Sequence, residues 1–577
     1  MYRAPTRRWI YFMSDDDQKN IGYIVGGGLR ENLRVRLTVS SQEVQEGAFV
    51  VIESGEWLFY GLVTDLQLGS TDPRFADEQS ETRLPAEMAA LLHGQTLYTT
   101  LEVLPALMLE RGPDLGSPDY AAWQAEHTEG LHPMPVKTIP VHHAEVRLAE
   151  EGDIAEIFGR KEDKGNFVIG YTREQGHPVC LNLDKFVQRS AGVFGATGTG
   201  KSFLTRLMLA GLIQHNTASV LVFDMHNEYG FDDTASDTHV NVTGLKTKFG
   251  TRLRIVALGA GSLIRGQPPD LTLEIDEKDI TPGDIEMLMR ELNLRETTPT
   301  TLEALVSDFG QGGWFKAFRE MRVGAVIENE DGKKVPAPDS VAAWANSSGV
   351  NVMAAEGLRS KMQRVYNLEY IRENPAGDGI REIIKTLEAG QHVVLSFYSH
   401  EKDLDYLLVS NLLTRRIRER WEKLTNDFRS KGENEPHPLV IVVEEAHKLL
   451  NREMAGQTTF STIAREMRKY YVTLLIIDQR PSQIYDEVMS QLGTRISGWL
   501  GDEDDIHSVL SGLAGRDALR GMLAHLQPTQ EVLLLGWGVP MPLPVQSRRY
   551  DQTFWDELIG KNKGKITAEQ AIEDLGF

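Results

Sequence analysis

Residues 195–202, Gly195-Ala196-Thr197-Gly198-Thr199-Gly200-Lys201-Ser202, read G-x-x-x-x-G-K-S, and what flanks them decides what that octapeptide can be. The apolar run Ala191 to Phe194 precedes it, and Phe203-Leu204-Thr205-Arg206-Leu207-Met208-Leu209 follows with helical periodicity. A strand, a glycine loop and a helix in that order turn successive backbone N–H groups and a helix N-terminus toward an anion. The pattern predicts a nucleotide phosphate cradle formed by Gly195, Ala196, Thr197, Gly198, Thr199, Gly200, Lys201, Ser202 and Phe203. In it Lys201 neutralises the β and γ charges of ATP and Ser202 ligates Mg²⁺. A glycine loop that arose by chance would lack the ordered strand and helix.

Such a cradle needs acid groups at the end of another buried strand. Leu439-Val440-Ile441-Val442-Val443-Glu444-Glu445 supplies them, delivering two carboxylates to the carboxyl edge of a sheet. Glu444 is expected to hold the metal with its water shell and Glu445 to polarise the attacking water, which favours NTP hydrolysis over transfer to a small acceptor. A solvated Glu-Glu pair at a helix start is the plainer reading. Two more strand ends reach the same edge. Asp224-Met225-His226-Asn227-Glu228-Tyr229 follows the run Ser219 to Phe223, and Asp224 and Glu228 there can position metal or water, while His226 senses nucleotide or merely packs. Asp478-Gln479-Arg480-Pro481 follows Val472 to Ile477, where the neutral amide of Gln479 can hydrogen-bond both water and γ-phosphate; the alternative is a turn that stops at Pro481.

The rest of the chain sets these motifs in context. Residues from about 20 to 150 read as short β segments: Gly22 to Val25, Leu33 to Val39, Ala48 to Glu53, Trp57 to Leu66, Leu97 to Val103 and Pro140 to Leu148. Rich in Val, Ile, Leu and Tyr and separated by turn residues, they predict a small barrel or sandwich. From about 160, apolar runs alternate with helical patterns, predicting an α/β domain with a largely parallel sheet. Its strands are expected at Ala191–Phe194, Ser219–Asp224, Arg252–Leu258, His392–Tyr398, Leu439–Val443, Val472–Asp478, Arg495–Leu500 and Glu531–Trp537. Between about 280 and 375 strands are not expected and helical periodicity takes over, opening at Thr281-Pro282-Gly283-Asp284. The tail carries a candidate capping box at Thr567 and Gln570.

The 577 residues are 41% hydrophobic and 25% charged, which excludes collagenous, mucin-like and wholly disordered chains. Sixty-one basic against eighty-three acidic residues give a net charge of −22, so indiscriminate attraction to nucleic acid is excluded and any DNA contact must be a local basic patch. The best candidate is Arg415-Arg416-Ile417-Arg418-Glu419-Arg420-Trp421, with a solvated helix face as the alternative. One cysteine, Cys180, permits no internal disulfide and fits a reducing compartment, with the cytoplasm as the default. Neither a signal peptide nor a membrane span is expected.

Taken together, the GATGTGKS loop, the DMHNEY stretch, VVEEAHK at 442–448 and IAREMRKYYVTLLIIDQRPSQI at 463–484 resemble the HerA family of hexameric bacterial and archaeal ATPases, within the wider FtsK-like ring translocases. The resemblance runs from roughly 20 to 550. It implies a RecA-like P-loop ATPase core with an N-terminal β-barrel domain and an inserted helical bundle. The corresponding division is a barrel domain at 1–155, an ATPase core at 156–279 and 376–550, a helical insert at 280–375 and a tail at 551–577. ATPases of this type more often carry Asp where Glu444 stands, which leaves the division of labour between Glu444 and Glu445 open. In the family an arginine just upstream of the P-loop strand enters the neighbouring subunit's site, and Arg189 occupies that place. A second intersubunit arginine corresponds to Arg465 or Arg468. Each of the three could instead be a solvated or salt-bridged surface group.

The resemblance implies a homohexameric motor that hydrolyses ATP with Mg²⁺ to move double-stranded DNA through its channel, beside a nuclease partner in DNA-end processing. HerA-like proteins also occur in antiphage systems, which implies an alternative: an ATP-regulated assembly scaffold that activates a nuclease or a sirtuin-like NAD-hydrolysing effector without moving DNA. A small-molecule kinase would leave Glu445 and the β domain unemployed.

Overall fold

The computed structural model describes residues 20–29, 31–71, 97–113, 117–126, 132–234, 241–259, 261–328, 330, 332–397, 400, 403–454 and 458–560. The tail carrying Thr567 and Gln570 lies outside them, as does part of the run expected to end at Tyr398. The chain divides into two compact units, Met1–Ile157 and Phe158–Phe577.

In the first unit, strands β1 (Asn20–Gly28), β2 (Glu31–Leu37), β3 (Phe49–Ser54), β4 (Trp57–Ser70), β5 (Leu97–Glu110), β6 (Met134–Pro135) and β7 (Glu145–Leu148) form one sheet ordered β2-β1-β7-β3-β4-β5-β6. A further pairing of β2 with β5, Leu33 opposite Val103 and Val35 opposite Leu101, closes it into a barrel and removes the open edges. Alternation explains the closure: Leu33, Val35, Val50, Ile52, Phe59, Val63, Leu101, Val103 and Val146 all point into a single buried core. β4 and β5 run past the expected ends, to Ser70 and Glu110, because they pair with each other along their whole length. The strand expected from Pro140 begins only at Glu145.

The second unit is built on a twelve-stranded sheet. Its strands are β8 (Asn166–Thr172), β9 (Pro178–Asn182), β10 (Ala191–Phe194), β11 (Ser219–Asp224), β12 (Leu253–Leu258), β13 (Leu271–Leu273), β14 (His392–Ser396), β15 (Leu439–Glu444), β16 (Val472–Asp478), β17 (Thr494–Ser497), β18 (Glu531–Gly536) and β19 (Leu543–Ser547). They lie in the order β13-β12-β14-β11-β15-β16-β10-β17-β18-β19-β8-β9. From β13 to β17 neighbours are parallel; from β17 to β9 they are antiparallel. The parallel strands are apolar runs because helices cover both faces; all six residues of β15 and all seven of β16 are buried. Each such Val, Leu or Ile stabilises the fold by roughly 1.5–3 kcal/mol relative to an exposed position.

Helix α1 (Lys201–His215) follows β10 directly and is buried continuously from Leu204 to Ile213. The long helix α2 (Asp403–Lys431) follows β14, and α3 (Thr459–Glu466) precedes β16. Between β13 and β14 the chain is mainly helical, with helices at Pro282–Glu286, Thr298–Phe309, Trp314–Glu320, Val341–Ser347 and Val352–Tyr366. The first opens on a capping box between Thr281 and Asp284. This segment is not free of strands, however. Val326–Glu328 and Lys334–Pro336 form a short antiparallel hairpin, and Ile275–Asp276 pairs in parallel with Ile371–Arg372 at the segment's base.

Candidate functional site

Register places the motifs on one edge. Phe194, the last residue of β10, pairs with Asp478 at the end of β16; Glu444 pairs with Ile477, Phe223 with Val443, and Asp224 with Ser396. Parallel strands share a direction, so the loop from Gly195, the acid pair Glu444–Glu445, Asp224 and Gln479 all leave at the carboxyl edge.

The glycine loop adopts backbone angles that only glycine reaches without strain, with φ of 152° at Gly195, 82° at Gly198 and 87° at Gly200. At Gly195 a Cβ would also stand 2.6 Å from Thr199 Oγ1. The loop is tied down by Ala196 N–H donating to the Trp499 carbonyl at 2.9 Å and by Thr199 Oγ1 donating to the Ala196 carbonyl at 2.8 Å. Lys201 Nζ folds back on the loop and donates to the Gly195 and Ala196 carbonyls at 2.8 and 2.9 Å. Burial lowers its pKa, opposed by the charges of Glu445, Asp478 and Glu228. Ser202 is half-buried at the second position of α1, and Phe203 beside it is exposed.

A polar chain connects this loop to Glu445. Thr197 Oγ1 donates to Gln479 Oε1 at 2.7 Å, and Gln479 Nε2 lies 3.4 Å from each carboxylate oxygen of Glu445. Gln479 thus bridges the phosphate loop and the acid. Glu445 has φ of 45°, a left-handed conformation unfavourable for a side chain with a Cβ. His447 stands behind it, its Nδ1 3.0 Å from Asp478 Oδ2 and 3.5 Å from Glu445 Oε2. The hydrogen bond to Asp478 raises the His447 pKa. Asp478 also accepts the backbone N–H groups of His447 and Arg480, each at 2.7 Å, so its carboxylate is committed to shaping the turns.

Glu444 occupies a different environment. It is 6% exposed; its Oε1 accepts from Tyr229 Oη at 2.6 Å and its Oε2 from Met225 N–H at 3.3 Å. Tyr406 Oη donates to its backbone carbonyl at 2.9 Å. Asp224 accepts the N–H groups of Glu228 and Tyr229 at 2.9 and 3.0 Å. The buried Glu228 Oε2 has no hydrogen-bond partner. Burial and then the charges of Asp224 and Glu228 push the Glu444 pKa well above the ordinary carboxylate range, and burial pushes Asp224 up to about 6. Three crowded carboxylates with hard oxygen donors suit a small divalent cation that would relieve their repulsion.

Other expected residues lie elsewhere. Arg189 precedes β10, at the opposite end of that strand from Gly195, with its guanidinium carbon 4.1 Å from the ring centroid of Trp537. Arg465 Nη1 lies 3.3 Å from Glu487 Oε2, and Arg468 is exposed in the turn Met467–Tyr470 that leads into β16. Both precede β16 in the chain, Arg465 within α3 and Arg468 in the turn that follows it, whereas Asp478 ends the strand. The basic stretch within α2 is neutralised: Arg415 pairs with Asp284 at 2.9 Å, Arg416 with Asp279, Arg418 with Glu422 at 2.9 Å and Arg420 with Glu388 at 2.6 Å. Sequence reasoning assigned no role to Tyr229, Tyr406, His447 or Asp478. His447 and Asp478 each stand within three residues of a chosen residue, but Tyr406 lies in the first turn of α2, nine residues before the only stretch of that helix the sequence singled out.

Residues 167–417 match the family model described as "Helicase HerA, central domain". The chain is 24% identical over 565 residues to the DNA double-strand break repair helicase HerA of Saccharolobus solfataricus, covering 96% of each protein. It is 23% identical over 542 residues to the protein of the same name from Sulfolobus acidocaldarius, covering 92% of this chain and 93% of the other. Among solved structures, the bacterial conjugative coupling protein TrwBdeltaN70 is similar with a TM-score of 0.44 at 14% identity, covering 70% of this chain and 93% of that one. The phosphate loop, the acid pair and the bridging glutamine meet at one sheet edge inside a chain that aligns with HerA helicases over more than nine-tenths of its length, and the chain is a P-loop ATPase similar to the HerA helicases.

Proposed function

We propose that this chain is a homohexameric, ATP-hydrolysing translocase of double-stranded DNA, acting in the cytoplasm with a nuclease or other effector in DNA-end processing or antiphage defence. The domain division that accompanies this reading is a barrel at 1–155, an ATPase core at 156–279 and 376–550, a helical insert at 280–375 and a tail at 551–577. The observation that carries the hydrolytic part is the line Thr197–Gln479–Glu445, which couples the phosphate loop to a carboxylate free of the buried cluster. DNA as the track is supported by the printed names of the relatives, which are DNA repair helicases.

In this reading the loop N–H groups and Lys201 hold the β and γ phosphates, with Lys201 exchanging its loop carbonyls for phosphate oxygens. Glu445 orients and polarises the attacking water, and the Gln479 amide fixes the carboxylate while sensing the γ-phosphate through Thr197. Ser202 and Glu444 would hold Mg²⁺, assisted by Asp224 and Glu228. The ion, when bound, neutralises charge on the transferring phosphoryl group. Arg189, with either Arg465 or Arg468, serves a neighbouring subunit. Gly195 begins six residues after Arg189, about 20 Å away at ~3.3 Å per strand residue, beyond the ~7 Å reach of an arginine side chain.

The competing scaffold reading is favoured by one observation: the basic stretch of α2 is fully ion-paired and offers no DNA-binding face. Steady-state ATP hydrolysis by the purified full chain, with and without linear duplex DNA and with and without a copurifying partner, separates the two. Stimulation by DNA is expected. Hydrolysis that responds to the partner and ignores DNA would support the scaffold and overturn the motor.

A further inference from the structure

Arg189 is held by two features of the antiparallel half of the sheet that no motif marks. The first is Trp537, immediately after β18. The residue is 48% exposed, yet the Arg189 guanidinium lies over its ring, the guanidinium carbon 4.1 Å from the ring centroid. That is well inside the ~6 Å range of a cation–π contact. The second is Gly493, the residue before β17. A Cβ there would stand 2.6 Å from Arg189 Cβ and 2.7 Å from its Cδ, so the arginine's aliphatic stem lies directly across the glycine. Gly493 cannot move aside. Its N–H donates to the Ser190 carbonyl at 2.8 Å and its carbonyl accepts from Trp537 N–H at 2.6 Å. One backbone hydrogen-bond chain therefore links Ser190, Gly493 and Trp537, setting the floor and the ring against which Arg189 lies.

An exposed tryptophan stacked on a guanidinium has a clear physical consequence. An arginine side chain in water samples many rotamers, and ordering it on binding is entropically costly. Stacking on Trp537 removes most of that freedom before any neighbour arrives. The planar group keeps its edge N–H donors available while its face is occupied, because cation–π contact uses the face alone.

We propose that Trp537 and Gly493 are positioning residues that pre-orient Arg189 for its action on the nucleotide of an adjacent subunit. This rests on the reading of Arg189 as a residue donated between subunits. It goes beyond that reading by assigning the aromatic platform and the glycine floor to catalysis rather than to packing. Pre-organisation of this kind affects the transition state more than nucleotide affinity, since the guanidinium is needed where charge develops.

The test uses the full chain with kcat and KM for ATP, binding of a fluorescent ATP analogue, and native mass as readouts. Because Trp537 is half exposed, replacing it opens no core cavity. Trp537→Leu is expected to lower kcat by about three- to thirty-fold, the equivalent of a cation–π contact, with KM and analogue affinity within about two-fold of the parent. Trp537→Phe, which keeps an aromatic face, is expected to recover most of the loss. Gly493→Ala is expected to reproduce the kcat defect by pushing Arg189 off its floor, and it stands as the independent arm if Trp537→Leu does not assemble. In an Arg189→Ala background, Trp537→Leu is expected to add nothing.

A parental kcat for both Trp537→Leu and Gly493→Ala, or a further loss in the Arg189→Ala background, would overturn the proposal. The two levels fail differently. If Arg189→Ala itself turns over at the parental rate, the intersubunit arginine is wrong and the positioning role falls with it. If Arg189→Ala is impaired while Trp537→Leu and Gly493→Ala are not, the arginine stands and the platform alone is refuted.

Discussion

Glu445 follows β15 with φ at 45°, in the left-handed region, where a residue bearing a Cβ is destabilised by roughly 1–2 kcal/mol. The strain aims its carboxylate at Gln479 rather than into the buried cluster where its neighbour Glu444 lies. Removing the charge and removing the strain are therefore separable. Glu445→Gln keeps the shape and is expected to lower hydrolysis by ~10²-fold or more while ATP still binds, measured as nucleotide retained through gel filtration beside steady-state turnover. Normal turnover would shift the catalytic role to Glu444. Glu445→Gly also loses turnover but is expected to raise the denaturant midpoint, by the equivalent of about 1 kcal/mol, because glycine accepts the backbone angle. An unchanged or lower midpoint would show that the conformation carries no strain. At this scale the sequence was informative where side chains cluster along the chain: Lys201 and the acid pair were legible from spacing alone. Tyr229 reaching Glu444 across two strands, or Tyr406 bonding its carbonyl from α2, was not, since those contacts exist only once the strands are in register.

Elements of the parallel half were legible because strands buried on both faces are continuous apolar runs bounded by turns, as in Val472-Thr473-Leu474-Leu475-Ile476-Ile477-Asp478. The antiparallel edge was not. β8, β9 and β19 carry mixed polar sequence, Pro178 opens β9 and Pro544 stands inside β19, so nothing distinguishes them from loops before they pair. In the insert, the hairpin at Val326–Glu328 is fully exposed and gives no alternation to read. Two further tests belong to elements. Arg495 in β17 is 3% exposed and donates to the Val509 and Ser511 carbonyls at 2.5 and 2.6 Å and to that of Met489 at 2.8 Å, capping the ends of two helices. Arg495→Met leaves those carbonyls without their donor and is expected to cost about 2–4 kcal/mol in urea unfolding. A loss under 1 kcal/mol would mean water replaces it. His392 opens β14 at 1% exposure, both ring nitrogens unpartnered, and burial lowers its pKa to about 3. Its folded pKa lies below the unfolded value of ~6.5, so it is neutral in both states above that pH. As pH falls toward 3 the unfolded chain takes up a proton that the folded chain refuses, and stability drops by about 1.4 kcal/mol per pH unit. His392→Leu is expected to flatten that slope between pH 6.5 and 5; an identical slope in parent and variant would place the acid sensitivity elsewhere.

At the scale of the whole molecule, the sheet separates two functions of its edges. The carboxyl edge gathers the phosphate loop, Glu445 and Gln479, while Arg189 and Arg468 lead into the starts of β10 and β16 and Arg465 belongs to the helix before β16. In the hexameric reading proposed above, a site so divided would be completed by a second copy of the chain. Co-assembled Arg189→Ala and Glu445→Gln subunits, each impaired alone, are therefore expected to regain part of the hydrolysis at interfaces that join an intact arginine to an intact glutamate; no recovery in mixed rings would place Arg189 outside its neighbour's site or require strict sequential firing. The charge of −22 and the ion-paired α2 put the burden of DNA contact on surfaces other than the stretch the sequence favoured. Movement along DNA is therefore the point to measure directly, by displacement of a triplex-forming strand placed at a known distance along linear duplex. With the parent, ATP-dependent displacement is expected, with a lag that grows with that distance, and none with Glu445→Gln. ATP hydrolysis at full rate without any displacement, or displacement that Glu445→Gln supports equally, would contradict an ATP-driven DNA motor.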